Sequence, residues 1–341
     1  MKGALAALAL TVLSACAPSL QTMERPAAGF DGPRLGQGVF VSFDGARLGL
    51  SEWDAEGGAP KAVIIGLHGM DDYANAFHLA GPAWARMGIT TLAYDQRGFG
   101  RSPERGVWAP PPLSTQDLRT IVALARARYP TAVIAVAGES LGGAVAIEAF
   151  ASDHPPAADR LVLLSPAVWG WSRQPPTSAV ALWLADRLAP GWVLDPPAFI
   201  TRKIWATDNI AELKAMSHDP LMLWGARVDA VYGLVDTMQR AWRETADLRV
   251  STLYLYGAHD QIIPKRPAFE AAARLRPGDR TAYYAHGWHL LLRDRQASTV
   301  WSDVAAFVAD PAAPLPSAAP PIPPPSAADR AKAGGVVARE P

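Results

Sequence analysis

The stretch Gly138-Glu139-Ser140-Leu141-Gly142-Gly143 follows an apolar run over 132–137 and opens a helical pattern. A strand, a sharp turn and a helix in that order expose a serine hydroxyl at a helix N-terminus. The small residues are needed because the turn brings backbone segments too close for side chains. A hydroxyl is a weak nucleophile, so it needs a base, and the base needs an orienting acid. Both are expected further along the chain. Asp260 stands just past the strand-like Tyr254-Leu255-Tyr256-Gly257. His286-Gly287-Trp288-His289 follows the last strand pattern, over 281–284, so two histidines compete there. His289 is preferred, because a Gly-x-His followed by apolar residues and an acid fits a loop returning over the serine, while His286 lies nearer the strand end. The charge on a tetrahedral intermediate needs N–H donors. Gly66-Leu67-His68-Gly69-Met70 ends an early strand in a tight turn, and the expected donors are the Met70 and Leu141 amides.

The other five histidines, His68, His78, His154, His218 and His259, lack the position after the final strand, and no pair has the helical His-x-x-x-His metal spacing. The only cysteine is Cys16, which excludes an intrachain disulfide, a Cys-rich zinc cluster and a Cys-x-x-Cys redox motif. No metal and no cofactor are expected. Lys+Arg and Asp+Glu are 32 each and no strongly basic stretch occurs, which speaks against nucleic acid as a partner.

These residues need a scaffold. A hairpin is expected from 39–43, Asp44-Gly45 and 47–53. Short apolar strands then appear at 62–67, 90–94, 132–137, 161–164, 252–256 and 281–284. Helical patterns lie at 74–87, 115–129, 141–150, 267–275 and 297–308, the second with a capping-box start at Ser114-Thr115-Gln116-Asp117. The alternation predicts an α/β fold: a mostly parallel central sheet with helices on both faces and sites beyond the C-terminal strand ends. Residues 39–165 and 251–309 form this core. The interval 166–250 breaks the alternation and is read as an inserted helical cap. It holds seven of the twelve tryptophans, expected mostly as core between cap helices.

The ends differ from the core. Met1-Lys2, an apolar run over 4–12 and Leu13-Ser14-Ala15-Cys16 read as an export signal over 1–15. The run falls short of the ~20 residues a spanning helix needs. Leu-Ser-Ala-Cys resembles the bacterial lipobox, which implies cleavage before Cys16, its lipidation, and anchoring at a membrane of the bacterial cell envelope. Residues 16–38 are read as a tether. Residues 310–341, with eight prolines between 311 and 325, are read as an unpacked Pro/Ala-rich tail.

Across about residues 39–309 the chain resembles the α/β-hydrolases, in the branch of monoacylglycerol lipases, lysophospholipases and serine aminopeptidase-like proteins. The motifs are His68-Gly69-Met70, Asp95-Gln96-Arg97-Gly98-Phe99-Gly100-Arg101-Ser102, Gly138-Glu139-Ser140-Leu141-Gly142-Gly143, Gly257-Ala258-His259-Asp260 and Gly287-Trp288-His289. The resemblance implies Ser140 as nucleophile, His289 as general base and then acid, Asp260 as orienting carboxylate, and an oxyanion hole of Met70 and Leu141 amides. The loop 95–102 is read as structural. Glu139 stands where these lipases often have His. The expected activity is hydrolysis of a carboxylic ester, with monoacylglycerol or lysophospholipid as first substrate class. Peptide hydrolysis, for which Glu212, Asp229 or Glu244 would hold an ammonium, and a non-catalytic binding protein are the alternatives.

Overall fold

The computed structural model describes residues 20–195 and 204–324. Its strands are β1 (Arg34–Gly36), β2 (Val39–Val41), β3 (Arg47–Trp53), β4 (Ala62–Leu67), β5 (Ile89–Tyr94), β6 (Val133–Glu139), β7 (Arg160–Leu164), β8 (Val193–Leu194), β9 (Ala226–Arg227), β10 (Ser251–Gly257) and β11 (Arg280–Tyr284). The described helices are α1 (Ala80–Arg86), α2 (Pro111–Arg128), α3 (Leu141–Ala151), α4 (Pro176–Leu188), α5 (Ile210–Ser217), α6 (Val228–Glu244), α7 (Lys265–Ala272) and α8 (Ala297–Ala309).

Nine strands form one sheet in the order β1-β2-β3-β5-β4-β6-β7-β10-β11. From β5 to β11 every neighbouring pair is parallel, and only the hairpin side is antiparallel. The C-terminal ends of β4, β6, β10 and β11 therefore share one rim, which is where Met70, Ser140, Asp260 and His289 follow. The continuous apolar runs are explained by two cores. In β4, Val63, Ile65 and Leu67 face α2, α3, α6 and α7, while Ala62 and Ile64 face α1 and α8. Each fully buried Ile, Leu or Val contributes about 1.5–3 kcal/mol, so a strand covered on both faces has no place for alternation.

The helical pattern over 74–87 is split into a 3-10 turn, Ala74–Phe77, and α1. Pro82 has no N–H for the His78 carbonyl, so the chain restarts with that proline in a first turn. The expected capping box at Ser114–Asp117 is not a cap, because α2 begins at Pro111, with proline pre-set for the first turn. Asp117 instead meets Arg97, which also holds Asp44 of the hairpin turn.

Among the described residues the interval between β7 and β10 adds no strand to the central sheet, and its last third packs as core. Ala230, Val235, Met238, Ala241 and Trp242 of α6 join the α3 side, and Arg240 Nε donates to Glu148 Oε1 at 3.1 Å. The tryptophans also depart from expectation: Trp183, Trp192, Trp205 and Trp224 are 41–65% exposed. The outward face of α4 has no described neighbour to cover Val180, Trp183, Leu184 and Leu188.

Both ends are more ordered than composition implied. Gln21 N–H donates to the Trp108 carbonyl at 2.9 Å, and β1 pairs with β2, so residues 34–36 of the expected tether belong to the sheet. At the other end, residues 310–324 are packed. Leu315 and Ile322 are buried, Tyr283 N–H donates to the Pro320 carbonyl at 2.8 Å, and Ile322 N–H donates to Thr281 Oγ1 at 2.9 Å. The open edge of β11 supplies the polar groups that a free tail would leave to water. The expected export signal, Cys16 and residues beyond 324 lie outside the described residues. Among the described residues no helix is long and apolar enough to cross a membrane.

Candidate active site

Ser140 stands between β6 and α3 with φ 53° and ψ −115°, a left-handed conformation that costs a serine energy and persists only when its surroundings impose it. Here the surroundings are backbone. Its N–H donates to the Leu164 carbonyl at 3.0 Å, and its carbonyl accepts from Ala144 and Ala167 at 3.1 and 2.9 Å. A Cβ at Gly142 would overlap the Leu67 carbonyl, and one at Gly143 would approach Pro166 Cβ to 2.8 Å. The glycines are thus the condition for β6, β4 and β7 to close around the turn. Ser140 remains 8% exposed.

Asp260 follows β10 and His289 follows β11. His289 Nδ1 donates to Asp260 Oδ2 at 2.9 Å, and Asp260 Oδ1 accepts the Ile262 and Ile263 N–H groups at 2.8 and 2.9 Å. Gly257 lets the histidine loop approach, since a Cβ there would overlap the Trp288 carbonyl. Asp294 holds the same loop by accepting the Trp288 N–H at 2.7 Å. Of the two competing histidines, His289 is buried against Asp260 while His286 is exposed. Burial alone would favour a neutral His289 ring, but the Asp260 carboxylate, with Glu139 adding to it, outweighs burial and raises its pKa.

The His68-Gly69-Met70 turn lies directly against the serine: a Cβ on Gly69 would come within 3.2 Å of Ser140 Cβ. His68 is a buried brace. Gln96 N–H donates to its Nε2 at 2.8 Å, so its Nδ1 carries the proton and donates to the Gly69 carbonyl at 2.7 Å. Burial lowers its pKa and keeps it neutral. Among the described residues the Met70 N–H meets no acceptor, and Leu141, first in α3, has no intrahelical one. Both amides are therefore available for a negative charge. Asp71, next to Met70, is held at φ 64°, and its carbonyl accepts the Leu223 N–H of the cap at 2.9 Å.

Glu139 is fully buried, so its carboxylate does not line an open pocket. Arg293 Nη2 donates to Glu139 Oε1 at 2.8 Å and to Asp72 Oδ2 at 2.6 Å. Sequence reasoning missed Arg293 and Asp72. A lone arginine closing the apolar run 290–292 was the one signal, and nothing local paired it with residues 72 and 139. The acids named for an ammonium are engaged where a bond is seen: Glu212 pairs with His78 at 3.1 Å and Asp229 with Arg227 at 2.5 Å. Among the described residues no group of three His, Cys, Asp or Glu is arranged to hold a metal.

The sequence model of the family described as serine aminopeptidase, S33, matches residues 58–296. The chain belongs to that family. This S33 member is 26% identical over 260 residues to the monoglyceride lipase of Rattus norvegicus, covering 74% of this chain and 83% of the relative. Among solved structures, a soluble variant of the Saccharomyces cerevisiae monoglyceride lipase superposes with TM-score 0.67 at 17% identity, over 86% of this chain and 98% of that one. The Paleococcus ferrophilus monoacylglycerol lipase gives TM-score 0.64 at 20% identity, over 77% and 98%. At those identities the structures show the fold: the S33 chain is an α/β-hydrolase, and as a member of this family it is a serine hydrolase.

Proposed function

We propose that the chain hydrolyses carboxylic esters of monoacyl lipids, monoacylglycerol or lysophospholipid, from a position tethered to a membrane of the bacterial cell envelope. In this reading Ser140 Oγ attacks the ester carbonyl, His289 Nε2 takes the serine proton, and Asp260 keeps the Nδ1 proton in place. The Met70 and Leu141 amides hold the oxyanion. His289 then gives the proton to the alcohol as its bond to the acyl carbon breaks, leaving the acyl group on Ser140; a water deprotonated by the same ring attacks that carbon, and the ring returns the proton to Ser140 Oγ as the acid departs. The contact that carries this reading is the 2.9 Å bond between His289 and Asp260 at the rim where Ser140 turns, with its N–H donors alongside.

Ester hydrolysis is supported by the monoglyceride lipase relatives. The finer choice of a monoacyl lipid rests on the names of those relatives and on the cap. Trp183, Leu184, Leu188 and Trp192 present 44–71% of their surface outward, the character of a face that meets acyl chains. Leu20, four residues beyond Cys16, shares a groove with Trp108, Asp186 and Tyr232, on the cap side of the molecule. A four-residue step spans at most about 15 Å, so a lipidated Cys16 keeps that side near the membrane. The family description favours a second reading, cleavage of an N-terminal amino acid, although Glu212 and Asp229 are already bonded.

The test is turnover of p-nitrophenyl esters of increasing chain length and of monoacylglycerol, beside amino-acyl p-nitroanilides, with Ser140→Ala as control. Ester turnover lost in Ser140→Ala supports the proposal. Dominant anilide cleavage replaces it with the peptidase, and Ser140-independent turnover or none overturns both.

A further inference from the structure

Arg293 lies four residues past His289 and is 1% exposed. Its Nη2 is shared between Asp72, two residues past Met70, and Glu139, the residue before Ser140. One guanidinium thus joins the loop of the oxyanion amide, the loop of the nucleophile and the loop of the base. Its Nη1 also contacts Met216 Sδ of the cap at 3.8 Å.

Stability gives no reason for this arrangement. Burying an ion costs several kcal/mol, and a buried ion network is commonly no better than well-packed apolar residues. This one is not even fully bonded: among the described residues Arg293 Nε and Glu139 Oε2 are buried without hydrogen-bond partners. Each such atom has lost its water without a protein partner in exchange, which is destabilising. What the network does supply is geometry, because one guanidinium nitrogen within 2.6 and 2.8 Å of two carboxylates leaves the three loops little room to slide.

We propose that Arg293 is a positioning residue: by holding Asp72 and Glu139 together it keeps the Met70 amide, Ser140 and His289 in a single reactive register. The proposal rests on the roles given above to those three residues. It deepens them by naming a fourth position whose loss disperses the others without touching the substrate.

The experiment measures kcat and KM for p-nitrophenyl butyrate on the full chain, normalised to the folded fraction by circular dichroism, for Arg293→Met and Arg293→Lys. Arg293→Met is expected to lower kcat on the order of 100-fold with KM near the parent value, as a displacement of about 1 Å at reacting groups does. Arg293→Lys, which keeps the charge on a shorter side chain without the second amino group that reaches Met216, is expected to recover part of the loss. A parent-level kcat per folded Arg293→Met molecule overturns the proposal. If that variant does not fold, Glu139→Gln, Asp72→Asn and their double variant decide. Losses in kcat that are smaller together than the product of the two singles support one shared tether. Independent, multiplying losses, or none, overturn it. Turnover that survives Ser140→Ala identifies failure of the underlying triad instead.

Discussion

The Asp260 carboxylate divides its oxygens between two tasks: Oδ2 takes the Nδ1 proton of His289 at 2.9 Å, and Oδ1 takes the N–H groups of Ile262 and Ile263. The turn after β10 therefore decides which way an acid at this position must face. In Asp260→Asn the amide oxygen is claimed by the two N–H groups, and the NH2 is left facing His289. The ring must then accept at Nδ1 and carry its proton on Nε2, where it cannot take one from Ser140. A fall in kcat of about 10⁴-fold is expected with the melting temperature little changed, read from turnover and thermal melts of the same preparation.

The pH response follows from the raised pKa of His289. The ring acts as a base only when neutral, so activity falls as pH drops through its folded pKa. Burial opposes the charged ring, but Asp260 and Glu139 overcome it, so the acid limb of kcat/KM is expected above the ordinary histidine value of 6.5. A profile recorded from about pH 5 to pH 9 reads this directly. A flat profile, or a limb below 6.5, removes His289 from the role.

Asp71 offers a stability effect of defined sign. Burial, with the Asp72 charge adding to it, pushes its carboxyl from 3.8 up to about 7 in the folded chain. Between those two values the unfolded chain releases a proton that the folded chain retains, so stability falls as pH rises through this window and the penalty is complete above about 7. Asn tolerates the left-handed backbone and carries no charge. Asp71→Asn is expected to raise the melting temperature at pH 8 and to lose that advantage towards pH 4.

Arg97 belongs to the scaffold. It donates to Asp44 Oδ1 and Oδ2 at 2.8 and 2.9 Å and to Asp117 Oδ2 at 2.7 Å, all three side chains being buried. Arg97→Met leaves two carboxylates without their cation, at a cost of about 3–5 kcal/mol. The expected loss in melting temperature is roughly 10 °C. Breaking the half-exposed Arg126–Asp159 pair by Arg126→Met should cost about 1 kcal/mol or less, and the contrast between the two variants is the measurement.

The sharp turn at Ser140 was legible because its determinants are local: an apolar strand, Gly138, Ser140, Gly142 and a helical run follow one another within a few residues. The meeting of Asp260 and His289 was legible from chain order, since the parallel sheet carries the ends of β10 and β11 to the same rim. Arg293 was not, because its meaning depends on residues 72 and 139, which reach it through three separate crossovers. The start of α2 was misplaced because Ser114 mimics a cap, whereas Pro111 already supplies the first-turn backbone. The cap tryptophans were misjudged for a different reason. Apolar content predicts burial only when a neighbour exists to bury it, and Trp183 on the outward face of α4, like Trp192, Trp205 and Trp224 beyond that helix, stays exposed among the described residues.

The segment closing over β11 sets where the sheet stops growing. Tyr283 gives its N–H to the Pro320 carbonyl, yet Pro320, Pro321, Pro323 and Pro324 have no N–H of their own. Such a segment can receive from a strand but cannot offer a continuous row of donors to another. It terminates the ladder chemically, as a chain-stopping monomer ends a polymer. A chain ending at Ala309 would uncover the β11 edge, and an uncovered edge is a template for pairing with a second molecule.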